Sequence, residues 1–415
     1  MYITSGGLNG AIGFMLLPVL TRYLTAHEYG VLENFNILRM VLGVILLYGA
    51  NTLLTMEYYG SDEQHRKVYC GNLLGTILFN VCVLFLIILL VFLFDQHILL
   101  AVKVTIGVVI LASLCAFLNS VFTLQLTLLQ IEKKAAKYAI LINGNTLTNI
   151  VLSIILVVVF GLGWAGRVYG VIVALALFFF IAIYAFFRRG MLPKFNLSKQ
   201  KTIFILGLPL MLSQVSSWIT LSANKLLVNH FIGLSEMGVY AVATKFALII
   251  FMLNTAFCQA WMPFFFENIN KNKYNSNIAI MRGVYLYCVS LFCFTLLYAY
   301  IIKLLLPYIV GRDFYGAAPL ILTLCLAHFF DGIWRMFNYF LIHKKRTRVY
   351  GGIVIAAGLV GFVASYWLLP VIGVSGAAWG VLISFAFGAA VTTGIVLKSE
   401  KMPWLKALKY NANRA

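Results

Sequence analysis

The chain is poor in charge and in clustered cysteine and histidine, and these shortages exclude several classes of protein. Charged residues make up 10% of its 415 positions and hydrophobic residues 62%, whereas soluble domains average about 25% and 45–50%. The 7 cysteines form no CxxC pair, and the 6 histidines are scattered singly, which argues against a metal site or a disulfide framework. No Gly-rich phosphate loop or nucleophile motif is present, so neither a cofactor nor enzyme chemistry is expected.

Long apolar runs recur instead, each long enough to cross a hydrocarbon core about 30 Å thick as a helix. The runs do not alternate as barrel strands do, so the predicted fold class is an all-α polytopic membrane protein with about twelve transmembrane helices. The predicted spans cover residues 3–20, 31–53, 71–94, 99–129, 139–160, 168–187, 203–227, 238–262, 282–303, 316–342, 350–369 and 376–397.

The basic residues report orientation rather than nucleic-acid binding. The net charge of +19 lies in short clusters between the spans, with no basic domain that could carry a duplex. Alternate loops are strongly basic, while the other set holds only Arg22, Arg167 and Arg312, so both termini are predicted to be cytoplasmic. The first span lacks the flank and cleavage site of a signal peptide, and we expect the natural start to lie upstream of Met1.

Three weak matches indicate an internal duplication. TRYLTAHEYGV (Thr21 to Val31) resembles NHFIGLSEMGV (Asn229 to Val239), and GWAGRVYGV (Gly163 to Val171) resembles GVSGAAWGV (Gly373 to Val381). Between them, EKKAAK at 132–137 corresponds to HKKRTR at 343–348. An even number of spans per repeat places both repeats in the same orientation, and chance similarity among Gly-rich turns is the alternative. The predicted layout is two six-helix lobes around a central cavity: residues 1–190 and 203–398, a cytoplasmic linker at 191–202, and a basic cytoplasmic tail at 399–415.

Several segments resemble the Wzx-type polysaccharide flippases, a branch of the multidrug, oligosaccharidyl-lipid and polysaccharide exporter superfamily. These segments are LLPVLTRYLTAHEYG (Leu16 to Gly30), GLPLMLSQVSSWI (Gly207 to Ile219), IGLSEMGVYAVATKFA (Ile232 to Ala247) and AFCQAWMPFFFE (Ala256 to Glu267). The resemblance covers nearly the whole chain. Members of this family often have an acidic–basic pair late in the seventh span, whereas Asn224 precedes Lys225 here.

The resemblance implies a flippase of the bacterial inner membrane. Its cargo would be oligosaccharide repeat units linked to undecaprenyl diphosphate, moved to the periplasmic leaflet by alternating access for O-antigen or capsular polysaccharide. A polysaccharide polymerase and a chain-length regulator would be its partners, besides membrane lipids. The alternatives are a cation-coupled drug exporter of the same superfamily and a membrane polymerase or ligase, which would need a long periplasmic loop.

The tenth span contains the most specific candidate site. His328, Asp331, Arg335 and Asn338 follow at steps of three, four and three residues, which places them on one helix face. Ionisable groups inside spans usually face a cavity or a partner. One interpretation makes Arg335 a cavity cation for a diphosphate or an acidic sugar, tuned by Asp331, and the other makes the two an ion pair that only packs helices.

Further candidates for the cavity come from other spans. Gln214, Trp218 and Lys225 share a face of the seventh span and combine groups that bind sugars, although helix packing explains Trp218 equally well. Arg39 and Lys245 occupy corresponding spans of the two repeats, where two cations would suit a diphosphate. Arg22 closes the first span and could equally be an interfacial anchor.

Overall fold

A computed structural model of the chain describes residues 14, 16–58, 62–94, 105–271, 274–400 and 402–404. Within these ranges the regular structure is entirely helical. The α-helices are α1 Leu17–Tyr23, α2 Ala26–Leu47, α3 Ala50–Tyr58, α4 Glu63–Phe94, α5 Ile106–Ile131, α6 Ala135–Ile154, α7 Gly163–Arg188, α8 Leu197–Phe231, α9 Leu234–Lys271, α10 Tyr274–Ile309, α11 Ala318–His343, α12 Thr347–Ile372 and α13 Ser375–Ser399. A π-helical turn, Ile155–Val159, continues α6, and a 3-10 turn, Arg312–Ala317, precedes α11.

Ten stretches of the described residues are long and apolar enough to cross a membrane. Together with the helical fold, they confirm the predicted class of multi-pass α-helical membrane protein. The predicted first span falls mostly outside the described residues, and the predicted seventh lies within α8. The second predicted span is interrupted: α2 ends at Leu47, Tyr48 adopts a left-handed conformation with φ 48°, and α3 begins at Ala50.

The chain forms two compact units, one extending to Ser222 and the other beginning at Ala223. The division falls inside α8, whereas the sequence predicts a linker at 191–202, and the limits of the predicted lobes stay a prediction. In the first unit, buried side chains of α3, α4, α5 and α7 form one core, with Leu54, Leu73, Leu124 and Phe186 at most 1% exposed. In the second unit, α11 packs against α9 and α13.

The helix ends reveal the duplication. Helix α1 ends at Tyr23 and α8 at Phe231, and the following helices begin at Ala26 and Leu234, which is the register of the first sequence match. Helices α5 and α11 are both 26 residues long and start 212 positions apart. Corresponding elements therefore occur in the same order in both units, as the predicted parallel repeat requires.

The two basic turns correct the register of the match between EKKAAK and HKKRTR by one residue. Lys133 and Lys345 both adopt left-handed conformations, with φ 57° and 55°. Lys134 N–H donates to Leu129 O at 2.9 Å, and Arg346 N–H donates to Leu341 O at 2.9 Å. These are equivalent Schellman-type helix ends, so Glu132 corresponds to Lys344 and not to His343. Aligning the basic residues alone missed this one-residue shift, because the geometry of the turn, and not its charge, sets the register.

The match between GWAGRVYGV and GVSGAAWGV corresponds to a close helix contact that is present in both units. A Cβ added at Gly170 would lie 2.6 Å from Ser153 Oγ, and one at Gly380 would overlap Ser365 Oγ. Small residues allow membrane helices to approach closely. The α6–α7 and α12–α13 pairs thus pack through the same Gly-on-Ser contact.

Candidate substrate-binding site

The predicted polar face of α11, formed by His328, Asp331, Arg335 and Asn338, contains a buried ion pair. Arg335 Nε donates to Asp331 Oδ2 at 2.7 Å, and the two residues are one helical turn apart. The Asp331 side chain is 8% exposed, whereas the Arg335 side chain is 34% exposed. The carboxylate is therefore enclosed, while the guanidinium retains an open side.

Helices α9 and α10 complete the surroundings of this pair. Asn254 Nδ2 donates to His328 O at 2.7 Å, and Tyr287 Oη donates to Asn254 Oδ1 at 2.9 Å. The Arg335 guanidinium carbon lies 4.9 Å from the centre of the Phe251 ring, within range of a cation–π interaction. The sequence did not indicate Asn254 or Tyr287, because the two residues lie on different helices and meet only in the folded unit.

Two further atoms on this face of α11 have unused hydrogen-bonding capacity. Among the described residues, His328 Nδ1 and Asn338 Oδ1 are buried and have no hydrogen-bond partner. A buried polar atom without a partner costs about 1–3 kcal/mol, so such atoms often lie where a ligand or water binds. The partly exposed guanidinium of Arg335 is the charged group on this helix face that an anionic ligand can reach. We call Asp331, Arg335, His328 and Asn338 the α11 cluster.

A second polar cluster lies in the first unit and corrects the placement of Arg167. The sequence placed this residue in a loop, but it lies in the second turn of α7. Its guanidinium donates to Asn149 Oδ1 and, at 2.6 Å, to Ser153 Oγ, both on α6. Positive-inside counting treated Arg167 as a flanking charge because it lies only four positions after Gly163, in the Gly-rich turn.

Arg39 lies close enough to Arg167 for the two positive charges to interact. It is half-buried, its Nε has no hydrogen-bond partner among the described residues, and its guanidinium reaches the Cys115 side chain. Glu33, which the sequence prediction missed, is 4% exposed on α2, one turn after the buried Tyr29. Glu33 follows Tyr29 by four residues, which places both on one face of the helix, and this spacing was the signal available in the sequence.

The remaining predicted residues are dispersed. Gln214, Lys225 and Lys245 are half-buried, and Arg22 is exposed at the end of α1. The side chain of Trp218 lies outside the described residues. The structure thus joins the members of the α11 cluster in one unit, while a role for these other residues stays a prediction.

Comparison with known proteins identifies the family. Residues 1–269 match the family model described as polysaccharide biosynthesis protein, and the chain belongs to this family. A protein of the Lsg locus of Haemophilus influenzae is 22% identical over 280 residues, which are 66% of this chain and 66% of that protein, just under two thirds of each.

Two solved structures show the fold. The lipid II flippase MurJ in an inward closed conformation has a TM-score of 0.73 at 15% identity, covering 98% of this chain and 89% of MurJ. An inward-facing multidrug resistance MATE family transporter of the MOP superfamily has a TM-score of 0.70 at 14% identity, covering 97% and 96%. The chain therefore has the fold shared by these transporters.

Proposed function

We propose that this protein is a flippase of the bacterial inner membrane that moves undecaprenyl-diphosphate-linked oligosaccharide repeat units from the cytoplasmic to the periplasmic leaflet by alternating access. The product would serve O-antigen or capsular polysaccharide synthesis, with both termini in the cytoplasm. A polysaccharide polymerase and a chain-length regulator would act with it. Membership of the polysaccharide biosynthesis family and the transporter fold support this proposal.

The observation that carries the proposal is the asymmetric burial of the α11 ion pair. An ion pair that only packed helices would need no accessible side, but the Arg335 side chain is four times as exposed as that of Asp331. Guanidinium groups bind phosphate oxygens through a planar fork. Asp331 holds one edge of the guanidinium through Nε and leaves the two terminal nitrogens for a ligand.

The neighbouring groups suit a lipid-linked sugar better than a cationic drug. Phe251 supplies an aromatic face beside the partly exposed guanidinium of Arg335. A cationic drug would require an accessible carboxylate, whereas Asp331 is enclosed and paired. The anionic cargo therefore fits the charge that is accessible.

The experiment is flux of a labelled undecaprenyl-diphosphate oligosaccharide in proteoliposomes. We expect transport by the wild-type protein, reduced transport by Arg335→Lys and a loss of at least tenfold for Arg335→Gln. Lys303→Gln is the matched control, because Lys303 is an exposed cation on α10 of the same unit. Efflux of a cationic dye without oligosaccharide flux would instead identify a drug exporter and overturn the proposal.

A further inference from the structure

A charged cavity of about 680 Å³ lies where four helices of the first unit end or begin. Its lining comes from the end of α3, the start of α4, the turn after α5 and the end of α7. Helices α4, α5 and α7 are candidate membrane spans, so their common end marks the level of the lipid head groups. We call this the basic cavity.

Positive charge dominates the basic cavity. Five cations line it, against two carboxylates, Glu63 and Glu132. The carboxylates are already engaged, because Lys67 Nζ lies 2.6 Å from Glu63, and Glu132 pairs with Lys134 at 2.7 Å and Arg189 at 3.0 Å. The remaining two cations are Arg66 and Arg188.

Neither of these arginines has a carboxylate within 4 Å in the part of the chain that the structure describes. Arg66 stacks on Tyr58, with its guanidinium carbon 4.4 Å from the ring centre, and its Nε is buried without a hydrogen-bond partner. Arg188 is exposed, with its guanidinium carbon 5.9 Å from the centre of the Tyr184 ring. Both guanidinium groups therefore retain donors for an oxyanion.

The second unit contains the equivalent cavity without these two charges. That cavity, of about 520 Å³, is lined by Asn277, Lys344, Ser399 and Glu400, among others. Where the first unit contributes Arg66 and Arg188 to the lining, the second contributes Asn277 and Ser399.

The structural ion pair is kept in both cavities, with its charges exchanged. Glu132 pairs with Arg189 in the first unit, and Lys344 pairs with Glu400 at 3.7 Å in the second. Both units thus keep an ion pair between the turn after α5 or α11 and the end of α7 or α13. The fold does not need the two unpaired arginines. A role in ligand binding explains why they occur in only one copy.

We propose that the basic cavity binds a phosphate-bearing anion through Arg66 and Arg188. Its volume lies in the range of ligand pockets, and basic pockets at the cytoplasmic ends of membrane helices bind anionic lipid head groups. The phosphate arrives either as the head group of an anionic phospholipid or as free phosphate. The site lies within one unit, and its occupancy does not depend on the identity of the transported cargo.

The test measures binding to the full-length purified protein, with phosphatidylglycerol and orthophosphate as separate probes. Native mass spectrometry counts retained phosphatidylglycerol against phosphatidylcholine, and thermal unfolding measures protection by orthophosphate. The variants are Arg66→Asn, Arg188→Ser and both together, because Asn277 and Ser399 line the corresponding cavity of the second unit. Each cation near a lipid surface contributes about 1 kcal/mol, so affinity should fall about fivefold per substitution and about 25-fold in the double variant.

Two controls separate site binding from general charge. Lys137→Gln removes an exposed cation of α6 that does not line the cavity, and it should bind as the wild type does. Arg66→Lys with Arg188→Lys keeps the charge and should retain most of the lipid binding, although the bidentate contacts are lost.

The two probes distinguish the source of the phosphate. Selective loss of phosphatidylglycerol retention in the double variant supports the lipid source, and selective loss of protection by orthophosphate supports the free anion. Wild-type behaviour of the double variant with both probes would overturn the proposal, as would an equal loss in Lys137→Gln. Transport of the oligosaccharide is not measured, so these outcomes do not depend on the proposed flippase activity.

Discussion

Neutralising the α11 ion pair separates a substrate role of Arg335 from a structural one. Arg335→Met removes the partner of a carboxylate whose side chain is 8% exposed, and breaking a buried pair in this way costs about 3–5 kcal/mol. We expect the lower end, about 3 kcal/mol, because Asn254 also provides a hydrogen bond to Asp331.

The converse change should cost less. Asp331→Asn keeps an oxygen acceptor of the same shape, and Arg335, at 34% exposed and stacked near Phe251, can still reach water. We therefore expect a loss of about 1 kcal/mol, as for a single weakened hydrogen bond. In the double variant no buried charge remains unpaired, and the two effects should be non-additive by about 2 kcal/mol.

The assay measures two quantities on each variant: the free energy of unfolding in mixed micelles and the amount of polysaccharide displayed on the cell surface. If Arg335 holds the substrate, the double variant should regain stability and abundance but not display, while Arg335→Lys should retain appreciable display because the cation remains. Recovery of display by the double variant would remove Arg335 from the substrate site. A stability loss below about 1 kcal/mol for Arg335→Met would refute the reasoning about Asp331.

Three further predictions follow from the fold. Gly170→Ala should destabilise the first unit by about 1–3 kcal/mol because its Cβ would press on Ser153, whereas Gly351→Ala, which has open space around its Cα, should be neutral or slightly stabilising; thermal unfolding measures both. Arg167→Gln should cost about 2–3 kcal/mol through the lost contacts to α6, and the exposed Arg312 provides an inert control as Arg312→Gln in the same measurement. Reporter fusions should locate Gln130, Lys199 and the carboxyl terminus in the cytoplasm and Gly163 and Ile309 in the periplasm, and a periplasmic carboxyl terminus would contradict the even number of spans.

Features with a local physical cause were predictable from the sequence. Span positions follow from apolar length, and the start of α2 follows from the capping box of Thr25 and Glu28, in which Glu28 N–H donates to Thr25 Oγ1 at 3.2 Å. The spacing of Asp331 and Arg335 predicted their contact because residues four apart are neighbours on a helix.

Features that depend on two or more helices were not predictable. Tyr287 and Asn254 are 33 residues apart, and no pattern in either helix marks their contact. Likewise, Arg167 has the same sequence signature as a residue that flanks a span, and only the packing of α7 against α6 shows that it is bonded to Asn149. The tertiary arrangement therefore decides which charges are topological and which form a site.

The duplication gives an independent argument that the charged pair has a specific role. Helices α5 and α11 correspond residue by residue at a separation of 212 positions, so Asn119 and Thr123 stand where the second unit has Asp331 and Arg335. The first unit builds the same helix, the same turn after it and the same Gly-on-Ser contact without any charge at these positions. An ion pair that the scaffold does not require, and that costs desolvation energy inside a membrane, is expected to persist because of what its exposed member binds.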